Sequence, residues 1–206
     1  MEQVDRAFAS LQNAADALTA SRREAAKKLS KGILPTLHDL GMPEASFSVE
    51  LTPTTTYGPI GHDAATFLFN ANRGGEMRDI AKVASGGEMS RLMLAIKSML
   101  TSHSLLPTII FDEIDTGVSG DISVAVGTIM CRMAGNMQVV AITHLPQIAA
   151  KASQHLKVYK ENDDDRTVSC IRELTPAERV TEVATMLSSD PPTPAALQTA
   201  KELMLK

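Results

Sequence analysis

At 206 residues, 44% of them hydrophobic and 21% charged, the chain has the composition of an ordinary globular protein able to bury one core. Its net charge of −4 excludes the global basic footprint of a non-specific nucleic-acid binder, so any DNA contact needs a local patch or a partner. Cys131 and Cys170 stand far apart with no histidine at zinc spacing, and no stretch reaches the ~18 apolar residues of a membrane span or has the order of a signal peptide, so neither a disulfide framework, a structural metal nor a membrane is expected, and the cytoplasm is the expected compartment.

Residues 1–40 carry apolar side chains at Val4, Phe8, Leu11, Ala15, Leu18, Ala25 and Leu29, in steps of four and three that predict a long helix with a heptad seam, interrupted by Arg22. The pattern is already running at Met1 with no capping residue ahead of it, as in a helix that begins inside a longer coiled coil; a simple amphipathic core helix is the alternative. Gly41-Met42-Pro43 ends it. Two alternating runs, Phe47–Leu51 and Thr66–Asn70, predict antiparallel strands separated by a loop rich in Pro, Thr and Gly. From Ser85 the order becomes helix (about 87–101), strand Thr108–Phe111, helix (about 119–134), strand Gln138–Ile142 and a short helix after Pro146. Apolar, β-branched strands alternating with helices predict an α/β fold with a mostly parallel sheet covered on both faces. Residues 155–159 and 167–171 read as a hairpin around the acidic turn Glu161–Asp165. Thr175-Pro176 with Glu178 as a capping box, and Thr193-Pro194, start two closing helices.

Three places can carry chemistry. Ser85-Gly86-Gly87-Glu88 puts a hydroxyl and unhindered backbone N–H groups where a helix begins, which is a ready anion site, although Ser-Gly-Gly is also the wording of a plain turn. Thr108–Phe111 followed by Asp112 and Glu113 sets two carboxylates at the carboxyl end of a buried strand, where open α/β sheets bind ligands. Asp112 suits a magnesium ion held through water and Glu113 suits a general base for an attacking water; alternatively such acids, Asp115 in particular, cap the next helix. His144 follows the next strand and reaches the same sheet edge, where an imidazole can hydrogen-bond a phosphate oxygen. His38, His62, His103 and His155 have no such company and read as surface or loop residues. Met89, Met93 and Met99 sit at helical spacing and read as core filler.

In this order the sites resemble an ABC-type ATPase. Ser85–Glu88 is similar to the signature motif, Ile109–Glu113 to Walker B with its catalytic glutamate, Asp115–Asp121 to the D-loop region, and His144 to the switch histidine. The fuller runs Ala81–Arg91, Phe111–Gly120 and Thr143–Ala150 closely resemble the RecN family of SMC-like bacterial recombination and repair proteins. The resemblance implies the carboxyl-terminal lobe of an SMC-type head: a returning coiled-coil arm over residues 1–40 and a half-head over 41–206. It implies ATP and Mg2+ as cofactors, and as partners the Walker-A-bearing amino-terminal half of the same protein, a second head in a homodimer, and DNA at the nucleoid through the full-length protein, with no membrane. Asp112 would then serve magnesium, Glu113 the water, and His144 the γ-phosphate of the same head. Ser85, Gly86, Gly87 and Glu88 would meet ATP on the second head, and Asp115 is expected among the nucleotide-contacting residues. Two features depart from the general pattern. No Gly precedes a Lys anywhere, so G-x-x-x-x-G-K-[ST] is absent from these residues and the chain alone is expected to be inactive. Where SMC and Rad50 heads carry a Leu-Asp pair, this chain has Val118-Ser119, with Asp121 following. Competing readings are a non-catalytic interaction module, the head of another SMC- or Rad50-like protein, and a transporter nucleotide-binding domain; the Asp-Glu-Ile-Asp wording and the arm argue against the last.

Overall fold

The computed structural model describes residues 1–82, 85–101, 106–112, 114–163 and 166–205. They form two compact units, Met1–Leu100 and Thr101–Lys206.

In the first unit, helix α1 spans Glu2–Asp39 and ends at Leu40, ahead of Gly41 with φ 77°. Its covered residues, among them Ala15, Thr19, Arg22, Ala26, Leu29, Ile33, Leu37 and Leu40, repeat every three or four positions and define one stripe. Val4, Phe8 and Leu11 continue that stripe but are exposed. Arg22 therefore does not interrupt the seam but belongs to its covered face. Strands β1 (Ser46–Gly58) and β2 (Gly61–Asn70) pair antiparallel from Ser46↔Asn70 to Pro53↔Asp63, with a register shift before Gly58↔Gly61. The expected loop between them is mostly strand. Its β-branched threonines favour extended backbone, and Pro53 is tolerated next to the irregularity. Arg22 explains how the far end of the hairpin is held: its guanidinium donates to the Asp63 carboxylate at 3.1 Å and to the Ile60 carbonyl at 2.6 Å, and the Thr19 hydroxyl lies 2.7 Å from the same carboxylate. These partners hold the Asp63 carboxyl low, the Thr19 hydrogen bond most of all, against an opposing push from burial. A two-residue strand, β3 (Arg78–Asp79), adds to β2 and leads into a single 3-10 turn, Ile80–Lys82; it is too short to leave an alternation in the sequence. Helix α2 (Gly86–Leu100) packs on α1, burying Leu92, Leu94 and Ala95.

In the second unit, β4 (Thr108–Asp112) and β5 (Gln138–Ile142) pair in parallel, Thr108↔Gln138 through Asp112↔Ile142. The crossover is α3 (Asp121–Ala134), whose Val126, Ile129, Met130 and Met133 are buried and which packs on β5. Phe111 lies on the covered side of the sheet. Ile110, Val140 and Ile142 alternate to the other side and are 63, 37 and 56% exposed, so the expected cover on both faces is found on one. A short helix, α4 (Pro146–Ala149), follows β5 and meets α3 at Gly127, where an added Cβ would come within 3.3 Å of the Gln147 carbonyl oxygen. A side chain there would be a tight fit, so glycine lets the two helices approach without either giving way. β6 (Leu156–Asp163) and β7 (Arg166–Glu173) form the expected hairpin; Asp164 and Asp165 of its turn lie outside the described residues. His155, read as a loop residue, has its Nδ1 buried, and burial pushes its pKa down. Helices α5 (Pro176–Leu187) and α6 (Pro194–Leu205) close the chain over an alanine-rich core of Ala150, Val183, Ala184, Ala196 and Ala200. The capping box is present: Glu178 N–H donates to the Thr175 hydroxyl at 3.4 Å and Thr175 N–H to the Glu178 carboxylate at 2.8 Å.

Candidate functional site

The parallel sheet sets the first group of residues. Asp112 and Ile142 are register partners at the carboxyl ends of β4 and β5, and the Asp112 side chain is exposed there. Two residues past Ile142, His144 leaves the sheet with a side chain 77% exposed. Glu113 lies outside the described residues, as does His103.

What joins the two strand ends is Asp115, whose side chain is only 2% exposed. Its Oδ2 accepts a short hydrogen bond from the Thr143 hydroxyl, one from the His144 backbone N–H at 3.0 Å, and lies 3.1 Å from His144 Nδ1. Thr143 Oγ1 in turn accepts from Leu145 N–H at 3.0 Å. Burial is the largest influence on the Asp115 carboxyl and pushes it up. The Thr143 hydroxyl, the backbone N–H groups of His144 and Asp115, and the adjacent imidazole together outweigh it, so the group sits below the usual carboxylate range. Asp115 is thus buried with its Oδ2 spent on the chain, where it holds Thr143 and His144 at the sheet edge. It does not cap α3, whose N-cap is Gly120. The His144 backbone N–H bond to Asp115 fixes where this residue leaves the sheet, and its exposed imidazole lies with Nδ1 beside the same carboxylate oxygen.

The loop between Asp115 and α3 turns on two glycines in the left-handed region, Gly117 (φ 72°) and Gly120 (φ 56°), with Val118 buried between them at 6% exposure. Val118 N–H donates to the Asp115 carbonyl at 3.1 Å, so the Val118-Ser119 wording anchors the loop through an apolar plug.

Ser85 and Gly86 are exposed at the start of α2, and Gly87 and Glu88 are half-buried. The Ser85 hydroxyl accepts from the Glu88 N–H at 3.4 Å. The opening N–H groups of a helix have no intrahelical acceptor, and a Cβ placed on Gly86 would meet nothing within 4 Å, so this turn is open to an anion. One turn on, Arg91 donates through Nε to the Gly87 carbonyl at 3.2 Å and through Nη1 to the Leu40 carbonyl at 3.0 Å. Neither Arg91 nor Thr143 stood out in the sequence beyond its place beside a motif.

Among the described residues no group of three or more His, Cys, Asp or Glu side chains is placed to hold a metal ion. The exposed Asp112 carboxylate is the kind of ligand magnesium takes, since that ion binds through one or two carboxylates together with substrate phosphates and retained waters. The exposed carboxylate and the imidazole of the second unit fit a nucleotide's phosphates, and the open helix start of the first unit, taken by itself, fits an anion.

No protein-family model matches the chain. It is 40% identical over 201 residues to the DNA repair protein RecN of Deinococcus radiodurans, covering 98% of this chain and 35% of that protein. It is 38% identical over 205 residues to the RecN of Haemophilus influenzae, covering 99% of this chain and 37% of that one. The chain belongs to the RecN family. It spans little more than a third of the length of these relatives. Its fold is that of SMC heads. The Smc head domain with a coiled coil and joint from Pyrococcus yayanosii superposes with a TM-score of 0.59 at 19% identity, over 76% of this chain and 28% of that one. The Smc head with an extended coiled coil from Pyrococcus furiosus, bound to the C-terminal domain of ScpA, gives 0.55 at 19% identity, over 88% and 48%.

Proposed function

We propose that this chain is the second half of an ATPase head in an SMC-like protein of double-strand-break repair, with residues 1–40 as the returning arm and 41–206 as the half-head. The observation that carries the reading is the Asp112 carboxylate and the His144 imidazole at the carboxyl ends of neighbouring parallel strands, with His144 held by Asp115. The relatives' description as DNA repair proteins supports the repair context.

On this reading Mg2+-ATP, when bound, supplies a γ-phosphoryl group whose transfer to water needs positioning and charge stabilisation more than covalent chemistry. Asp112 would hold the magnesium ion through its waters. Glu113, next along, orients the attacking water and takes its proton. His144, held through its backbone N–H by Asp115, would offer its exposed imidazole to a γ-phosphate oxygen of the same head. Ser85, Gly86 and Gly87 offer a hydroxyl and helix-start N–H groups to the nucleotide of a second head, and Glu88 completes that turn. The phosphate-cradling loop and its lysine come from a Walker-A-bearing half, and DNA is engaged by the assembled protein at the nucleoid.

Phosphate release tests this directly. The purified chain should show no turnover, a mixture with the Walker-A-bearing half should show it, and Glu113→Gln should lower it by at least about 100-fold, the scale of losing a general base. Turnover by the chain alone that Glu113→Gln abolishes would refute the need for a second half. A complex seen by light scattering that never hydrolyses ATP would leave only the interaction-module reading.

A further inference from the structure

The Arg91 guanidinium bridges the end of the arm helix and the start of the helix that carries Ser85–Glu88. One of its N–H groups bonds the Gly87 carbonyl, in the first turn of α2, and another bonds the Leu40 carbonyl at the C-cap of α1. Leu40 lies past the last helical residue, where carbonyls lack intrahelical partners and a cation is favoured. The planar fork of arginine holds both acceptors in one fixed geometry, which the single point charge of lysine does not do.

The surroundings make this contact a lever and not a tether. At the other end of the helix pair a Cβ on Gly32 would lie 2.5 Å from Met99 Cε, so α1 and α2 touch there at van der Waals distance. Gly32 to Leu40 is eight residues (40 − 32) and Met99 to Arg91 is also eight (99 − 91), so the helices run antiparallel over about 12 Å. Ile33, Leu37, Leu40, Leu92, Leu94 and Ala95 are all 0% exposed. Close-packed interiors transmit displacement instead of absorbing it. The opening turn of α2 begins exposed at Ser85 and Gly86, and the Arg91 fork bonds a carbonyl of that same turn, where an incoming anion would act.

We propose that Arg91 is a positioning residue that couples occupancy of the Ser85–Gly87 turn to the end of the arm helix, in both directions, since such coupling is reciprocal. The inference rests on the reading of that turn as a nucleotide contact.

The test is amide hydrogen exchange by mass spectrometry on the ATPase assembled from this chain and the Walker-A-bearing half, with and without ATPγS. In the unmodified protein the nucleotide should slow exchange both in the first turn of α2 and around residues 36–42. Arg91→Gln should keep the change in α2 and lose the change at 36–42; Arg91→Lys should retain less than half of it. KM for ATP and thermal stability, measured in parallel, separate coupling from a merely structural role, which would shift both segments with or without nucleotide. Nucleotide-dependent protection at 36–42 that survives Arg91→Gln overturns the coupling, and so does its absence from the unmodified protein. Glu113→Gln-sensitive turnover in the same sample shows in either case whether the ATPase reading itself stands.

Discussion

Asp115 concentrates three contacts on one carboxylate oxygen: the Thr143 hydroxyl, the His144 amide and His144 Nδ1. Asp115→Ala should cost about 1 kcal/mol in urea denaturation, because it leaves part-buried donors unpaired, and should lower reconstituted turnover further than the stability loss explains. Its pKa is lowered on folding, so its contribution is complete above the unfolded value near 4 and is lost as the pH falls through the folded value. Denaturation midpoints for the unmodified chain should therefore drop on acidification below about pH 4, and Asp115→Ala should flatten part of that drop. The Asp-Glu pair after an apolar strand was legible because it is a local pattern. The burial of Asp115 was not, since it depends on contact with residues 28 and 29 places further along the chain.

At the scale of elements, helix boundaries and caps were legible because they are decided within one turn. The Thr175 and Glu178 box is the clearest case. Glu178 is held at about 2, first by the Thr175 N–H, then by the Thr175 hydroxyl and by Arg172. A depressed carboxyl of this kind stabilises fully above its unfolded value near 4.5, and that contribution is lost as the pH falls toward 2. Thr175→Ala should destabilise the second unit by about 1 kcal/mol at pH 7, seen as faster exchange in the first turn of α5, with a smaller effect at pH 2. The hairpin β1–β2 was half legible. Its inner runs alternate, whereas its outer residues read as loop because Pro and Gly punctuate them. What makes them strand is the Asp63 hook on Thr19 and Arg22, 44 and 41 residues away in sequence.

At the scale of the whole molecule, the bare face of the parallel sheet stands out. Parallel sheets are covered on both faces in folded proteins, yet Ile110, Val140 and Ile142 are exposed here. On the proposed reading the Walker-A-bearing half covers them. Ile142→Asp should then change the stability of this chain by less than about 0.5 kcal/mol, as a surface substitution does, while weakening association with that half by at least tenfold. Isothermal titration measures the second effect and urea denaturation the first; equal affinity for both proteins would place the cover elsewhere.

The sequence by itself determined the order and type of the longer elements, the Thr175 cap, and three motifs whose wording resembles that of RecN-family proteins. All of these are written in periodicity, in steric preference at single residues, and in runs of neighbouring side chains. Only the tertiary structure decided that Arg22 is a hook and not a break in the seam, that Asp115 holds His144, and that Arg91 joins the end of α1 to the first turn of α2. Each of those depends on where a distant carbonyl, hydroxyl or carboxylate lies after packing, and a charged side chain reads alike in the sequence whether it meets water or such a partner.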